Sequence, residues 1–211
     1  MELRSARLIM RPWRRGDDDL ADRWPPYHDP LEPLWNLSRP LSGADFWGGG
    51  FINPYERETW AVEGNDGRLM GRISLREIDR RSAQARLGVT FGAPFVSRGY
   101  GTEALERFIE YYFSEMKFAA MVLDVAAPNQ RAVRCYERLG FRYICSDWRQ
   151  AGSAFDRRVL DQPSYQHLAH HFAYDRRGLF VEFFEMRLER DQWRQQHPLC
   201  DLKSQSSSEP R

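Results

Sequence analysis

The sequence predicts one α/β domain, a mixed and mostly antiparallel central sheet flanked by helices, and three observations carry that prediction. Four strand-like runs joined mostly by short polar turns lie within residues 6–91, the arrangement of an antiparallel meander. A strand, a helix and a strand then follow one another across 85–126, as in a right-handed crossover between parallel neighbours. Leu179 to Leu188 alternates apolar and polar residues and supplies a last strand. The 211 residues suffice for one sizeable core and are few for two. The domain is expected to occupy 1–192, with 193–211 a polar tail.

Residues 6–14, Ala-Arg-Leu-Ile-Met-Arg-Pro-Trp-Arg, read as the first strand. Gly16-Asp17-Asp18-Asp19 opens a helix to about Trp24, its aspartates capping free amides and suiting the helix dipole rather than binding metal. Residues 25–56 are irregular, with the Gly48-Gly49-Gly50 run and Trp24, Trp35, Trp47 and Phe51 in or beside them. Aromatics in such a segment cover a core or line a pocket, and core cover is favoured. Glu58 to Glu63 alternates as a half-buried strand, Gly64-Asn65-Asp66-Gly67 is a turn, and Leu69 to Ile78 is the partner strand. A polar turn at 79–84 leads into Ala85 to Phe91.

Beyond residue 101 the period changes. Ala104, Leu105, Phe108, Ile109 and Tyr112 recur at helical spacing between Thr102 and Phe113, so one face of that helix is buried. Met121 to Val125 reads as a buried strand. A second helix follows Pro128-Asn129 and ends at Leu139-Gly140, where glycine serves as the C-cap. Phe141 to Cys145 is a further strand, and 146–177 is a polar, irregular insertion expected to act as a flap over a bound acceptor. The last strand is available to pair with a second copy of the chain, so a homodimer is among the expected partners.

Charge and cysteine content narrow the function. Lysine plus arginine (31) nearly cancels aspartate plus glutamate (30), so no nucleic acid partner is expected. Cys135, Cys145 and Cys200 lack zinc-site spacing, and an odd number argues against a disulfide framework, which points to a reducing compartment. No apolar run approaches the roughly 18–20 residues that cross a bilayer, and Met-Glu-Leu-Arg-Ser-Ala-Arg lacks the core of a signal peptide. The expectation is a cytoplasmic protein with no membrane partner. His167-x-x-His170-His171 has no carboxylate or cysteine at fitting spacing, so no metal is expected.

Residues 95–103, Phe-Val-Ser-Arg-Gly-Tyr-Gly-Thr-Glu, join a strand to a helix. Gly99 and Gly101 let an anion approach the backbone without meeting a Cβ, and the helix start leaves N–H groups unpaired, so the turn reads as a phosphate cradle. The bland alternative is a turn that only closes a loop. A rival is the dinucleotide fingerprint, since Gly99-x-Gly101-x-x-Ala104 fits it formally and Asp124 lies where a ribose-binding acid belongs. Against it, residues 92–98 separate the strand from the glycines and no repeated strand-helix units follow.

A second motif decides between them. Asn129-Gln-Arg-Ala-Val-Arg-Cys-Tyr136-Glu-Arg-Leu-Gly140-Phe141, following the Arg98-Gly99-x-Gly101 turn, resembles the GNAT N-acetyltransferase family, with strands in matching order over roughly residues 6–190. The resemblance implies that the turn Ser97, Arg98, Gly99, Tyr100, Gly101 and Thr102 holds the pyrophosphate of acetyl-coenzyme A through its amides. It implies that the two parallel strands splay and that the pantetheine arm pairs with backbone groups near Val89 and Phe91. Asn129 would reach the pantetheine, and Tyr136 would lie at the sulfur. A phenol of pKa about 10 suits the departing thiolate, whose thiol has a pKa about 8.5. The N–H near Phe91 would polarise the thioester carbonyl. The implied activity is transfer of acetyl to a primary amine, a small molecule or a peptide N-terminus, by direct attack.

The chain departs from the family where Gln or Arg usually stands three residues before the first glycine, for here that residue is Val96. The cradle would then rely on backbone amides and Arg98. The general base is unplaced among Glu63, Glu77, Asp124, Asp147 and a water chain. Two other readings remain, a non-catalytic acyl-coenzyme A sensor and a dinucleotide-binding oxidoreductase. The wording of the turn is similar to the ribosomal-protein N-terminal alanine acetyltransferase branch, which makes a peptide α-amine the first acceptor class.

Overall fold

The computed structural model describes residues 2–39, 56–153 and 155–198. The expectations for Trp47, the Gly48-Gly49-Gly50 run, Phe51 and Cys200 lie outside the described residues. Two N-terminal strands, β1 (Leu3–Arg4) and β2 (Leu8–Pro12), lead to a helix α1 (Asp17–Ala21). Strands β3 (Glu58–Gly64), β4 (Leu69–Asp79) and β5 (Gln84–Phe91) follow, then helix α2 (Tyr100–Ser114) and strand β6 (Ala120–Ala126). Helix α3 (Gln130–Arg138), strands β7 (Arg142–Gln150), β8 (Phe172–Asp175) and β9 (Gly178–Glu189), and helix α4 (Arg190–Gln196) complete the order.

The sheet runs β1-β2-β3-β4-β5-β6-β9-β7, with β8 paired to β9. Every pair is antiparallel except β5–β6, which is parallel, so the predicted mixed sheet is the observed one. The parallel join follows from the helical crossover, since a chain that leaves β5 through α2 must return in the same direction.

Alternation along the strands sorts side chains onto two faces. Ile73, Leu75, Leu87, Leu123, Met186 and Leu188 point to one face, where α2 buries Leu105, Phe108, Ile109, Tyr112 and Phe113 against them. The five apolar α2 positions read from the sequence are all buried there. A fully buried residue of this size contributes about 1.5–3 kcal/mol. The Tyr112 hydroxyl donates to the Ala120 carbonyl at 2.6 Å, tying α2 to the start of β6. Val181 and Phe183 point to the other face, where a second cluster gathers Leu31, Leu34, Phe155, Val159 and Leu168.

Several boundaries differ from the sequence reading. The first helix ends at Ala21, and Asp17 is buried against Arg11 instead of simply capping. The strand expected at 141–145 runs to Gln150, because the polar residues beyond Cys145 pair with β9 through Phe180. The insertion also holds short 3-10 turns at Arg157–Asp161 and Gln166–His171, and β8. Its apolar residues pack behind Leu31 and Leu34 and buttress that wall, and of the described residues in 146–177 Arg149 alone lines the main cleft. The last strand is interior, flanked by β7 on one side and by β6 and β8 on the other, so it has no edge to offer a second chain. Beyond β9 the sheet ends at β7, an edge strand where Tyr143, Ile144 and Trp148 are exposed. The polar tail expected from 193 begins inside α4, whose Trp193 is buried and donates to Glu110 at 3.0 Å.

Candidate active site

The parallel register runs only from Gln84↔Ala120 to Leu87↔Leu123. Past that point β5 stays with β4 to Phe91, while β6 stays with β9 to Ala126, and the two strands part. Gly92 N donates to Met70 O at 2.9 Å, so hydrogen-bonded and non-bonded pairs alternate from there down the β4–β5 ladder. That alternation turns the N–H and C=O of Val89 and Phe91 away from β4 and into the gap. The Phe91 carbonyl is taken by the Tyr27 hydroxyl. The Phe91 N–H and both groups of Val89 face the gap without a strand to pair with.

A cleft of about 520 Å³ fills the gap, lined among others by Val89, Phe91, Val96, Ser97, Gly99, Gly101, Thr102, Asn129 and Tyr136. Its mouth is the start of α2. Gly99 sits at φ 82°, a conformation that excludes most side chains, and no side chain caps the helix. The first helical bond runs from Glu103 N to Gly99 O at 3.1 Å, so the amides of Tyr100, Gly101 and Thr102 have no intrahelical acceptor. Ser97 is exposed with φ 60°, a strained conformation for a residue with a Cβ. The side chains of Arg98 and Tyr100 are not in the cleft. Arg7 stacks on the Tyr100 ring 4.5 Å from its centroid, bonds the Arg98 carbonyl at 3.4 Å and ion-pairs with Glu103 at 2.6 Å, holding the turn from outside.

Helix α3 brings the second motif to the same cleft. Asn129 is its N-cap, with Oδ1 accepting from Ala132 N at 3.2 Å, which leaves the amide nitrogen of the side chain uncommitted to the cap. Tyr136 is half-buried, its ring edge-on to Phe141 with centroids 5.8 Å apart. Burial pushes its phenol well above the ordinary tyrosine value, and the neighbouring Cys135 thiol adds to the effect. Cys135 Sγ lies 3.3 Å from Thr102 Oγ1, so the two helices touch where the two motifs meet.

The face of the sheet away from α2 forms the inner wall. Arg72, Ser74, Arg76, Gly88, Thr90 and Asp124 share it by alternation and line the cleft. Asp124 is held by three guanidiniums, bonding Arg86 and lying 3.3 Å from both Arg76 and Arg149. Arg86 also reaches Glu77 at 2.7 Å and Glu185 at 2.9 Å, and Arg149 reaches Asp147 at 3.0 Å. Glu63 pairs with Arg11. Of the base candidates read from sequence, Glu63, Glu77 and Asp147 therefore stand outside the cleft in ion pairs, and Asp124 is committed to arginines. His171 Nδ1 lies 2.9 Å from Glu182, and among the described residues no group of three or more possible metal ligands occurs.

Residues 27–38 supply what sequence reasoning missed. Tyr27, Glu32, Trp35, Asn36, Leu37 and Ser38 line the outer wall. Burial raises the Tyr27 phenol, against the pull of Arg131 and with a push from Glu32. Trp35 packs edge-on to Tyr27 at 5.1 Å and under Arg131 at 5.1 Å, so it is a pocket aromatic. Trp24 is the core-covering kind: its Nε1 donates to Leu69 O at 3.2 Å, and a Cβ on Gly92 would stand 2.8 Å from its ring. Glu32 has no cationic partner within 4.0 Å among the described residues, unlike Asp124. The only signal in the sequence was the aromatic density of the segment.

A mixed sheet opened between two parallel strands, with an uncapped helix start at its mouth, defines an α/β fold with room for an extended, anion-tipped ligand. A family model described as the acetyltransferase (GNAT) domain matches residues 7–142, and the chain belongs to that family. It is 32% identical over 76 residues to "Putative ribosomal N-acetyltransferase YdaF" of Bacillus subtilis, a match covering 36% of this chain and 42% of that one. It is 23% identical to the spermidine N(1)-acetyltransferase of Vibrio cholerae, over 65% of this chain and 80% of the relative. A crystal structure of spermidine N-acetyltransferase from Vibrio cholerae in complex with CoA and spermine superposes with a TM-score of 0.62 at 17% identity. That superposition covers 90% of this chain and 99% of the other, and it establishes the shared fold. Among the described residues no helix is long and apolar enough to cross a membrane.

Proposed function

We propose that the protein transfers the acetyl group of acetyl-coenzyme A to a primary amine by direct attack in this cleft. The observation that carries the reading is the open parallel join, which leaves Val89 and Phe91 backbone groups facing a gap that ends on the free amides of α2. An extended pantetheine amide chain fits the first, as an added strand would, and a diphosphate fits the second. Val96 contributes no polar group, so the amides of Gly99 to Thr102 do the anchoring. Acetyl-coenzyme A supplies an activated thioester.

The chain's own groups do the rest. The Phe91 N–H, directed into the gap, donates to the thioester oxygen as charge builds on it. Tyr136 is protonated at neutral pH, as an ordinary phenol is, and burial moves it further from ionisation, so it enters the reaction as a hydrogen-bond donor to the departing sulfur. Asn129 uses its free amide nitrogen to hold the pantetheine, alongside its capping bond. Glu32, the cleft carboxylate without a cation partner, relieves the incoming ammonium of its proton. The free thiols Cys135 and Cys145 fit a reducing, cytoplasmic setting.

The test is calorimetric titration with coenzyme A, followed by thiol release from acetyl-coenzyme A with and without a panel of amines. Binding together with amine-dependent release is the expected result. Binding without turnover on any amine would make the protein an acyl-coenzyme A sensor, and no binding would remove the reading.

A further inference from the structure

The cleft carries more positive charge than its own carboxylates offset. Six arginines line it, Arg57, Arg72, Arg76, Arg131, Arg138 and Arg149, against Glu32 and Asp124. Asp124 is shared by Arg76, Arg86 and Arg149. The carboxylates of Glu77, Glu185 and Asp147 are spent beneath the wall, on Arg86 and Arg149. Arg57, Arg72, Arg131 and Arg138 have no carboxylate within 4.0 Å among the described residues, although Arg72 stacks on Trp13 and Arg131 on Trp35. Residues 40–55 contain a single charged side chain, Asp45, so no arrangement of them reverses the surplus.

The excess is concentrated on β4. Arg72, Ser74 and Arg76 alternate onto the cleft face. Arg57 is one step beyond the Glu58↔Leu75 pair, which sets it across from Arg76. Like charges directly opposite each other on a sheet are destabilising, and among the described residues the carboxylate nearest this pair is Asp124, divided between three guanidiniums. Arg76 is 37% exposed on its side chain, and its Nε is buried without a hydrogen-bond partner. Burial pulls its guanidinium below the ordinary arginine value, against the pull of Asp124 and Glu77 and with Arg86 and Arg57 adding to the fall. Arg86 beside it goes the other way: burial opposes its charge, but Asp124, Glu77 and Glu185 outweigh that. Arg86 has three carboxylates within reach, whereas Arg76 has, among the described residues, only Asp124, which it shares with Arg86 and Arg149.

Resting on the acetyl-transfer reading, we propose that the acceptor is an amine that also carries a carboxylate or phosphate, held by Arg76 with Arg57 and Arg72. A polycation such as a polyamine meets repulsion on this wall. The anionic class deepens the acceptor description without changing the reaction.

The experiment uses the full chain, acetyl-coenzyme A and matched acceptor pairs: β-alanine against β-alaninamide, O-phosphoethanolamine against ethanolamine, and spermidine. The pairs separate carboxylate from phosphate as the recognised group. The anionic member of at least one pair is expected to have kcat/KM about tenfold or more higher, the scale of one charged hydrogen bond. Arg76→Gln should erase that preference with KM for acetyl-coenzyme A changed less than about twofold. Arg57→Gln, at an exposed position where folding is not at stake, should reduce it in the same direction. Spermidine or the uncharged members turning over best would overturn this inference alone. A chain that binds coenzyme A but acetylates none of these amines would overturn it together with the acetyl-transfer reading.

Discussion

Replacing Tyr136 with phenylalanine removes one oxygen and leaves the ring against Phe141, so the variant isolates the hydroxyl. General acids contribute about 10²–10⁴ in rate, and a phenol held above its usual range gives its proton up less readily. The lower end applies. Turnover should fall about 100-fold, equivalent to about 2.7 kcal/mol in the barrier. KM for acetyl-coenzyme A should stay within about twofold, because the turn and the gap that bind it are untouched. Steady-state thiol release with a fixed amine measures both constants, and calorimetric melting should show a stability change within about 1.5 kcal/mol. The pH profile adds a check whose sign is fixed. The acid form is the active one and its pKa is raised, so Tyr136 should cause no alkaline loss of kcat below about pH 10. A variant that keeps kcat within about threefold of the parent would take the proton-donor role away from Tyr136.

Asp17 is 4% exposed on its side chain and bidentate to Arg11 at 2.7 and 2.8 Å, so Asp17→Asn should cost about 3 kcal/mol, read as a lower urea midpoint. The Arg11 hydrogen bonds hold the Asp17 carboxyl below its usual value, so its contribution is complete above about pH 4 and disappears as pH falls through the folded value; urea titrations at pH 7 and pH 3 should show the difference shrinking. Trp193→Ala empties a buried site under α2 and should lower stability by about 3–5 kcal/mol, whereas an unchanged melting temperature would place α4 outside the cooperative unit. Gly99→Ala meets only the flexible tip of Arg7, at 3.3 Å, but forces alanine to φ 82°, at a cost of about 1–2 kcal/mol; a turn that relaxes should weaken coenzyme A binding in calorimetry about tenfold.

How legible the molecule was depends on which forces fix each part. The α2 helix was readable because Ala104, Leu105, Phe108, Ile109 and Tyr112 repeat at the period of their own element, and local repetition is what a sequence displays. The glycine turn and the Asn129 to Phe141 motif were readable for the same reason, since each is a contiguous chemical device. The second half of β7 was hidden because Ser146 to Gln150 are mostly polar and take their strand conformation from pairing with β9, some 35 residues away. The cleft wall at 27–38 was hidden because its meaning lies in what stands opposite. Glu32 looks like an ordinary surface acid until Asp124, in the same cleft, is found committed to three arginines. Arg57 and Arg76 lie far apart in the chain, and only the register of β3 on β4 reveals that they face each other.

The short parallel join between β5 and β6 makes the sheet a structure with a seam. To one side stands the N-terminal meander, to the other the β6-β9-β7 group, and the ladder that couples them stops at Leu87 and Leu123. A ligand that borrows the spare hydrogen bonds of Val89 and Phe91 stitches that seam, so occupancy and folding become one equilibrium. At a hundred times its dissociation constant such a ligand adds about 2.7 kcal/mol to the folded state. The protection should appear first as slowed amide exchange at Val89 and Phe91, in the middle of the sheet rather than at its rim.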